Sequence, residues 1–281
     1  MLKCKRFYCS FFFGMFFFIT SFVMISCSKE DSPAPVPTGE SKQYSILNTN
    51  LSDFSGTVDF IENTNGSTTI SLQVLNTIKN IDNVVRLRSN TANLGGGIAV
   101  SLNSLNGDKG ISNTTVEKLQ SGEVVNYAQL AEFNGYLAIE GINENAGVLL
   151  AYVDLGPNEL TGKKSIYDLL SPDGVFSGLV TVQERKKGTA SLTVGIREID
   201  EDVELPCSLH IPQYSNGEEF IQQLFSVKSD LNGFSFNELN EIDGNEITYD
   251  ELLELNAFIE VSNQDDSSSF IAKAGIGAKT N

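Results

Sequence analysis

The stretch FSGTVDFIENTNG at 54–66 returns 122 residues later as FSGLVTVQERKKG at 176–188, ungapped, with Phe, Ser, Gly, Val, Glu and Gly identical. A second pair keeps that offset: GEVVNYAQLAEFN at 122–134 and GNEITYDELLELN at 244–256 share Gly, Tyr, Leu, Glu and Asn. Unrelated segments of 13 residues share about one residue at ordinary composition. The chain therefore carries one unit twice. Thr38, Gly39 and Tyr44 recur as Thr161, Gly162 and Tyr167, which carries the repeat outward from its centre.

Inside a unit, Val58 and Phe60 alternate with polar neighbours, as do Ile70, Leu72 and Val74, and again Ile98, Val100 and Leu102. A period of two predicts half-buried strands. Breaks rich in Gly and Asn, such as NTNG at 63–66, read as hairpin turns that need a positive φ. One helix is expected per unit. Thr248 with Glu251 three residues on forms a capping box ahead of Leu252 and Leu255, and Asn126 with Gln129 repeats it ahead of Leu130 and Phe133. The expected architecture is all-β: two tandem Greek-key β-sandwich or barrel domains, each with one short helix. The boundaries read from the repeat are 44–156 for the first domain, 157–165 for a linker and 166–281 for the second domain.

The amino terminus reads as an address. Lys3, Lys5 and Arg6 precede an almost wholly apolar run at 7–25, and small Ser26 precedes Cys27. VMISC at 23–27 resembles the lipobox of bacterial lipoproteins, which implies a signal peptide at 1–26 and a lipid on Cys27. A permanent membrane-spanning helix is the alternative, since about 19 apolar residues can just span a bilayer. The stretch 27–43 then reads as a tether, its Pro33, Pro35 and Pro37 favouring extended backbone. Ser28, Lys29, Glu30 and Asp31 resemble the acidic signal that sends Bacteroidetes lipoproteins to the outer face of the outer membrane. Outer-membrane anchoring with surface display is the expected location.

The chain has 281 residues and a formal net charge of −17. Without residues 1–26 it keeps 16 basic and 36 acidic residues, or −20. Nucleic acid is not an expected partner, because displacing counterions from phosphates needs clustered Lys and Arg. The one basic run past residue 26, ERKKG at 184–188, reads as a solvated turn. With Cys4 and Cys9 in the signal and Cys27 acylated, Cys207 stands alone in an apolar stretch, VELPCSLHI at 203–211, and reads as a buried inert thiol.

Four motifs carry a family resemblance: GTVDFIENTNGSTTISLQV, NTANLGGGIAVSLNSLNGDKGIS, VNYAQLAEFNGYLAI and the closing FIAKAGIG. Together they resemble the chordin-type (CHRD) domain of many Bacteroidetes lipoproteins, over about 45–156 and more loosely over 166–277. The resemblance implies a Greek-key β fold without an assigned reaction. Such domains usually carry His-x-His on a middle strand and a further His on the strand after the helix. This chain has Arg86-Leu87-Arg88 and Glu140 there in the first copy, and Ser208-Leu209-His210 and Ser262 in the second. These six residues, Arg86, Arg88, Glu140, Ser208, His210 and Ser262, are the candidate ligand-binding positions.

His210 is the only histidine, and a transition-metal site usually needs two or three imidazole or thiolate ligands, so no metal or cofactor is expected. No GxSxG elbow accompanies His210. GGG at 95–97 lacks the Lys-Ser or Lys-Thr of a phosphate loop. DLNG at 230–233 and DGNE at 243–246 lack the alternating oxygen ligands of a calcium loop. The leading expectation is a non-catalytic surface lipoprotein whose tandem β domains bind an extracellular protein or polysaccharide. The alternative is a metal-dependent or carboxylate-based envelope enzyme with a degenerate site.

Overall fold

The computed structural model describes residues 34–49, 51–215, 217–266 and 269–277. The proposed signal peptide and Cys27 lie outside them. In the first half the strands are β1 (Pro37–Ser45), β2 (Ser55–Asn63), β3 (Thr68–Leu75), β4 (Val84–Ser89), β5 (Ile98–Ser101), β6 (Ile111–Val116), β7 (Gly135–Glu140) and β8 (Leu149–Asp154). Helix α1 (Tyr127–Ala131) precedes β7. The second half has β9 (Leu160–Leu170), β10 (Phe176–Arg185), β11 (Ala190–Ile196), β12 (Glu204–Ser215), β13 (Glu218–Lys228) and β14 (Phe234–Leu239). Helix α2 (Tyr249–Glu254), β15 (Ala257–Ser262) and β16 (Phe270–Ile276) follow.

Strand order repeats along with the sequence. The first half pairs β1-β2-β3-β6 in one sheet and β8-β7-β4-β5 in the other, with the short strand Leu47–Asn48 beyond β8. The second half closes into a barrel in the order β9-β10-β11-β14-β13-β12-β15-β16. Adding eight to each first-half label reproduces that order. After β3 the chain crosses to the other sheet for β4 and β5, then returns to lay β6 beside β3, which is the Greek-key path.

The FSG motif has a steric reason. A Cβ on Gly56 would sit 2.0 Å from the Gln73 carbonyl oxygen, and one on Gly178 would sit 2.0 Å from that of Gly195. Both copies need glycine where the hairpin partner crosses closest.

A second repeated device bridges the two sheets of the first half, and the matching seam of the second-half barrel, where the backbone ladder fails. Ser112 Oγ donates to the Asn103 carbonyl at 2.6 Å, and the Asn103 N–H donates to Thr114 Oγ1 at 2.8 Å. In the second half Ser235 Oγ donates to the Phe225 carbonyl at 2.5 Å, and the Phe225 N–H donates to Asn237 Oδ1 at 2.7 Å. Side chains stand in for the missing rungs, so buried backbone groups keep partners.

Residues 35–281 form one compact unit, with a separate hydrophobic core in each half. Matching positions fill both cores: Ile70 and Leu192, Leu87 and Leu209, Leu130 and Leu252, Leu137 and Ile259 are all fully buried. Both capping boxes form, Asn126 with Gln129 and Thr248 with Glu251. Strand β1 begins inside the stretch read as tether, and β9 inside the stretch read as linker. The connection between the halves is therefore only the turn after β8, a 3-10 segment at Gly156–Asn158.

Candidate functional site

Register decides which candidate residues meet. Arg86 lies opposite Ala138 and Val84 opposite Glu140, so Arg86, Arg88 and Glu140 share the outward face of adjacent strands β4 and β7. Arg86 Nη1 pairs with Glu140 Oε2, and Arg88 reaches Glu140 Oε1 through Nε and Nη2, each at 2.7 Å. Arg88 Nη1 also donates to the Gly96 carbonyl at 2.9 Å. The Glu140 carboxylate is 4% exposed while the guanidinium side chains are 28% and 22% exposed. Two cations on one buried anion leave a net positive spot in an acidic protein.

The matching second-half face is built differently. Ser208 Oγ and His210 Nε2 are 2.9 Å apart, and His210 Nδ1 lies 2.9 Å from Glu219 Oε1. The imidazole stacks on Phe258 at 4.7 Å between centroids, and Lys273 caps the other ring with Nζ 3.3 Å from its centroid. Ser262, in the place of Glu140, is buried and makes no hydrogen bond to Ser208 or His210. The order Ser, His, Glu is that of a hydrolase relay. Here β12 is paired on both sides, with β13 and β15, so its N–H groups at Ser208 are committed to ladders. The β12 backbone at Ser208 therefore offers no free N–H pair to an oxyanion.

In the basic run at 184–188, Lys186 and Lys187 form an exposed turn as read from the sequence, and Arg185 does not. Arg185 is 1% exposed, no part of a solvated turn. Its Nη1 donates to Asp154 Oδ2 at 2.7 Å and to the Asn158 carbonyl at 2.5 Å, and its Nε donates to Glu238 Oε2 at 2.7 Å. Thr189 Oγ1 and Lys187 Nζ approach the other Glu238 oxygen at 2.9 and 3.4 Å. Burial disfavours the guanidinium charge, and the two carboxylates more than offset it, keeping its pKa above the usual arginine value. Asn93 adds a neutral link, donating from Nδ2 to Ser191 Oγ at 2.9 Å and to the Asn237 carbonyl at 2.7 Å. The two halves are thus held together by buried polar contacts.

Beside this clamp a cleft of about 810 Å³ opens between the halves. The first half supplies Asn93 and Tyr152, and the second supplies Phe225, Phe236, Lys228 and Asp230. Phe225 is 55% exposed. The Tyr152 phenol makes no hydrogen bond among the described residues, and burial raises its pKa above the ordinary tyrosine value. No family model, curated protein or solved structure matches this chain. The cleft is what the candidate list missed. An aromatic at 225, where the first copy has Asn103, was the one available signal.

Cys207 is buried in the second core, and burial pushes its thiol up to about 12. That leaves almost no thiolate at neutral pH.

Proposed function

We propose that the chain is a lipid-anchored protein of the bacterial outer surface that binds an extracellular ligand, a protein or a glycan, without catalysis. The export and lipobox-like segment up to Cys27 supports the anchor. The resemblance to chordin-type domains, which implies a fold without an assigned reaction, is compatible with this reading. The observation that carries the binding role is the cleft between two halves locked by Arg185, since small-molecule sites favour such preformed concave junctions, at about 300–1,000 Å³.

The test has two parts. Wild-type protein should partition into membranes, take up labelled fatty acid and be cleaved by protease added to whole cells, while Cys27→Ala should be soluble and unlabelled. A soluble or protease-protected wild type sinks the anchor. Cells with and without the protein are then compared in a glycan and protein binding screen, and equal binding by both rejects the ligand role.

A further inference from the structure

We propose that the occupant of the inter-half cleft is a neutral oligosaccharide held against Phe225, Phe236 and Tyr152. The inference rests on the binding role above and names its ligand class.

The lining is amphipathic in a particular way. Aromatic faces from both halves border it, and an exposed phenyl at 225 leaves apolar area in water that a ligand would cover. Sugar rings offer such a partner, with an apolar C–H face and a rim of hydroxyls. Polar atoms are at hand for the rim: Asn93 keeps Oδ1 without a hydrogen bond among the described residues, and the Tyr152 hydroxyl is likewise unpartnered. A hydroxyl group both donates and accepts, so it can satisfy an amide oxygen and a phenol together.

Charge and topology narrow the choice. Lys228 is the one basic residue in the lining and pairs with Glu204 at 3.3 Å, while Asp230 adds a second acid, so the lining is net negative and disfavours an anion. An extended peptide would need unpaired strand edges, and at the Phe225 seam the second-half barrel is closed, with side-chain rungs to the Phe225 backbone. An acyl chain would need a dry apolar tunnel, whereas Asn93, Asp230 and the Lys228–Glu204 pair line this one.

The full lipidated chain in nanodiscs is titrated with neutral di- to tetrasaccharides of α- and β-1,4-linked glucose, N-acetylglucosamine and xylose, read by saturation-transfer NMR. At least one series should bind. Phe225→Ala should weaken it about three- to tenfold, the range for one lost stacking contact of ordinary strength, while Lys79→Ala, at an exposed residue outside the cleft lining, leaves it unchanged. Circular dichroism on Phe225→Ala confirms folding, and Tyr152→Phe, which removes only a hydroxyl, gives a second reading should the alanine variant unfold. Binding indifferent to both cleft variants overturns the assignment of the site. Failure of every sugar, with a peptide from a displayed library binding in a Phe225-dependent way, overturns the ligand class while the binding role stands.

Discussion

Arg185 Nη1 donates to Asp154 Oδ2 at 2.7 Å, tying the last residue of β10 in the second half to the last residue of β8 in the first. Neither side chain is more than 2% exposed. The position matching Arg185 in the first copy is Asn63, which instead donates to Ser67 Oγ and Thr69 Oγ1 within its own hairpin. The clamp is therefore an asymmetry laid over a symmetric duplication. It gives the cleft fixed walls.

Arg185→Ala should destabilise the protein by about 3–5 kcal/mol, because it leaves the Asp154 and Glu238 carboxylates buried without their cation. Urea unfolding followed by circular dichroism measures it. A loss under about 1 kcal/mol would mean that water reaches the carboxylates and that the clamp does not hold the halves.

The Arg86, Arg88 and Glu140 cluster should respond asymmetrically. Replacing both arginines with alanine strands a carboxylate that is 4% exposed and should cost about 3 kcal/mol. Glu140→Gln leaves two guanidiniums that are 28% and 22% exposed, which water can solvate in part, and should cost less than the double arginine replacement. Equal costs in thermal unfolding would contradict the burial assigned to Glu140.

Cys207 should be inert in the native protein. A thiol held near 12 when folded and near 9.0 when unfolded ionises more readily in the unfolded chain. Its contribution is nil below about pH 9, and stability falls as pH rises from there toward 12, because the unfolded state binds fewer protons. Relative to Cys207→Ala, wild type should lose stability over that window. At pH 8 an aqueous thiol reagent should label position 207 only in denaturant; rapid native labelling would refute the burial.

Ser112→Ala and Ser235→Ala should cost similar amounts, about 1–3 kcal/mol each, since both remove a donor to a seam carbonyl. Chemical denaturation of the two variants checks the equivalence. If one is neutral and the other costly, the seam is closed by different means in the two copies.

Much of the fold was legible because it depends on local pattern. The two capping boxes and the alternation around Val58 and Ile70 follow from spacing and turn chemistry alone. Arg86, Arg88 and Glu140 stand where the chordin-type resemblance implies one histidine cluster, and the structure brings them together on neighbouring strands. Arg185 was misread because a short charged run before a hairpin glycine has the composition of a solvated turn. Only the docking of the other half removes its water.

Sequence by itself determined that there are two copies of one β unit and where each helix starts, because these are properties of short segments that recur with the repeat; the need for glycine at 56 and 178 shows only where the hairpin partner crosses. Tertiary structure alone decided that Asp154, Arg185 and Glu238 meet, that the halves share a buried polar seam, and that Phe225 and Tyr152 face one cleft. Those contacts join residues that no spacing rule relates. Their energies come from excluding water between two surfaces, a quantity that exists only once both halves have folded.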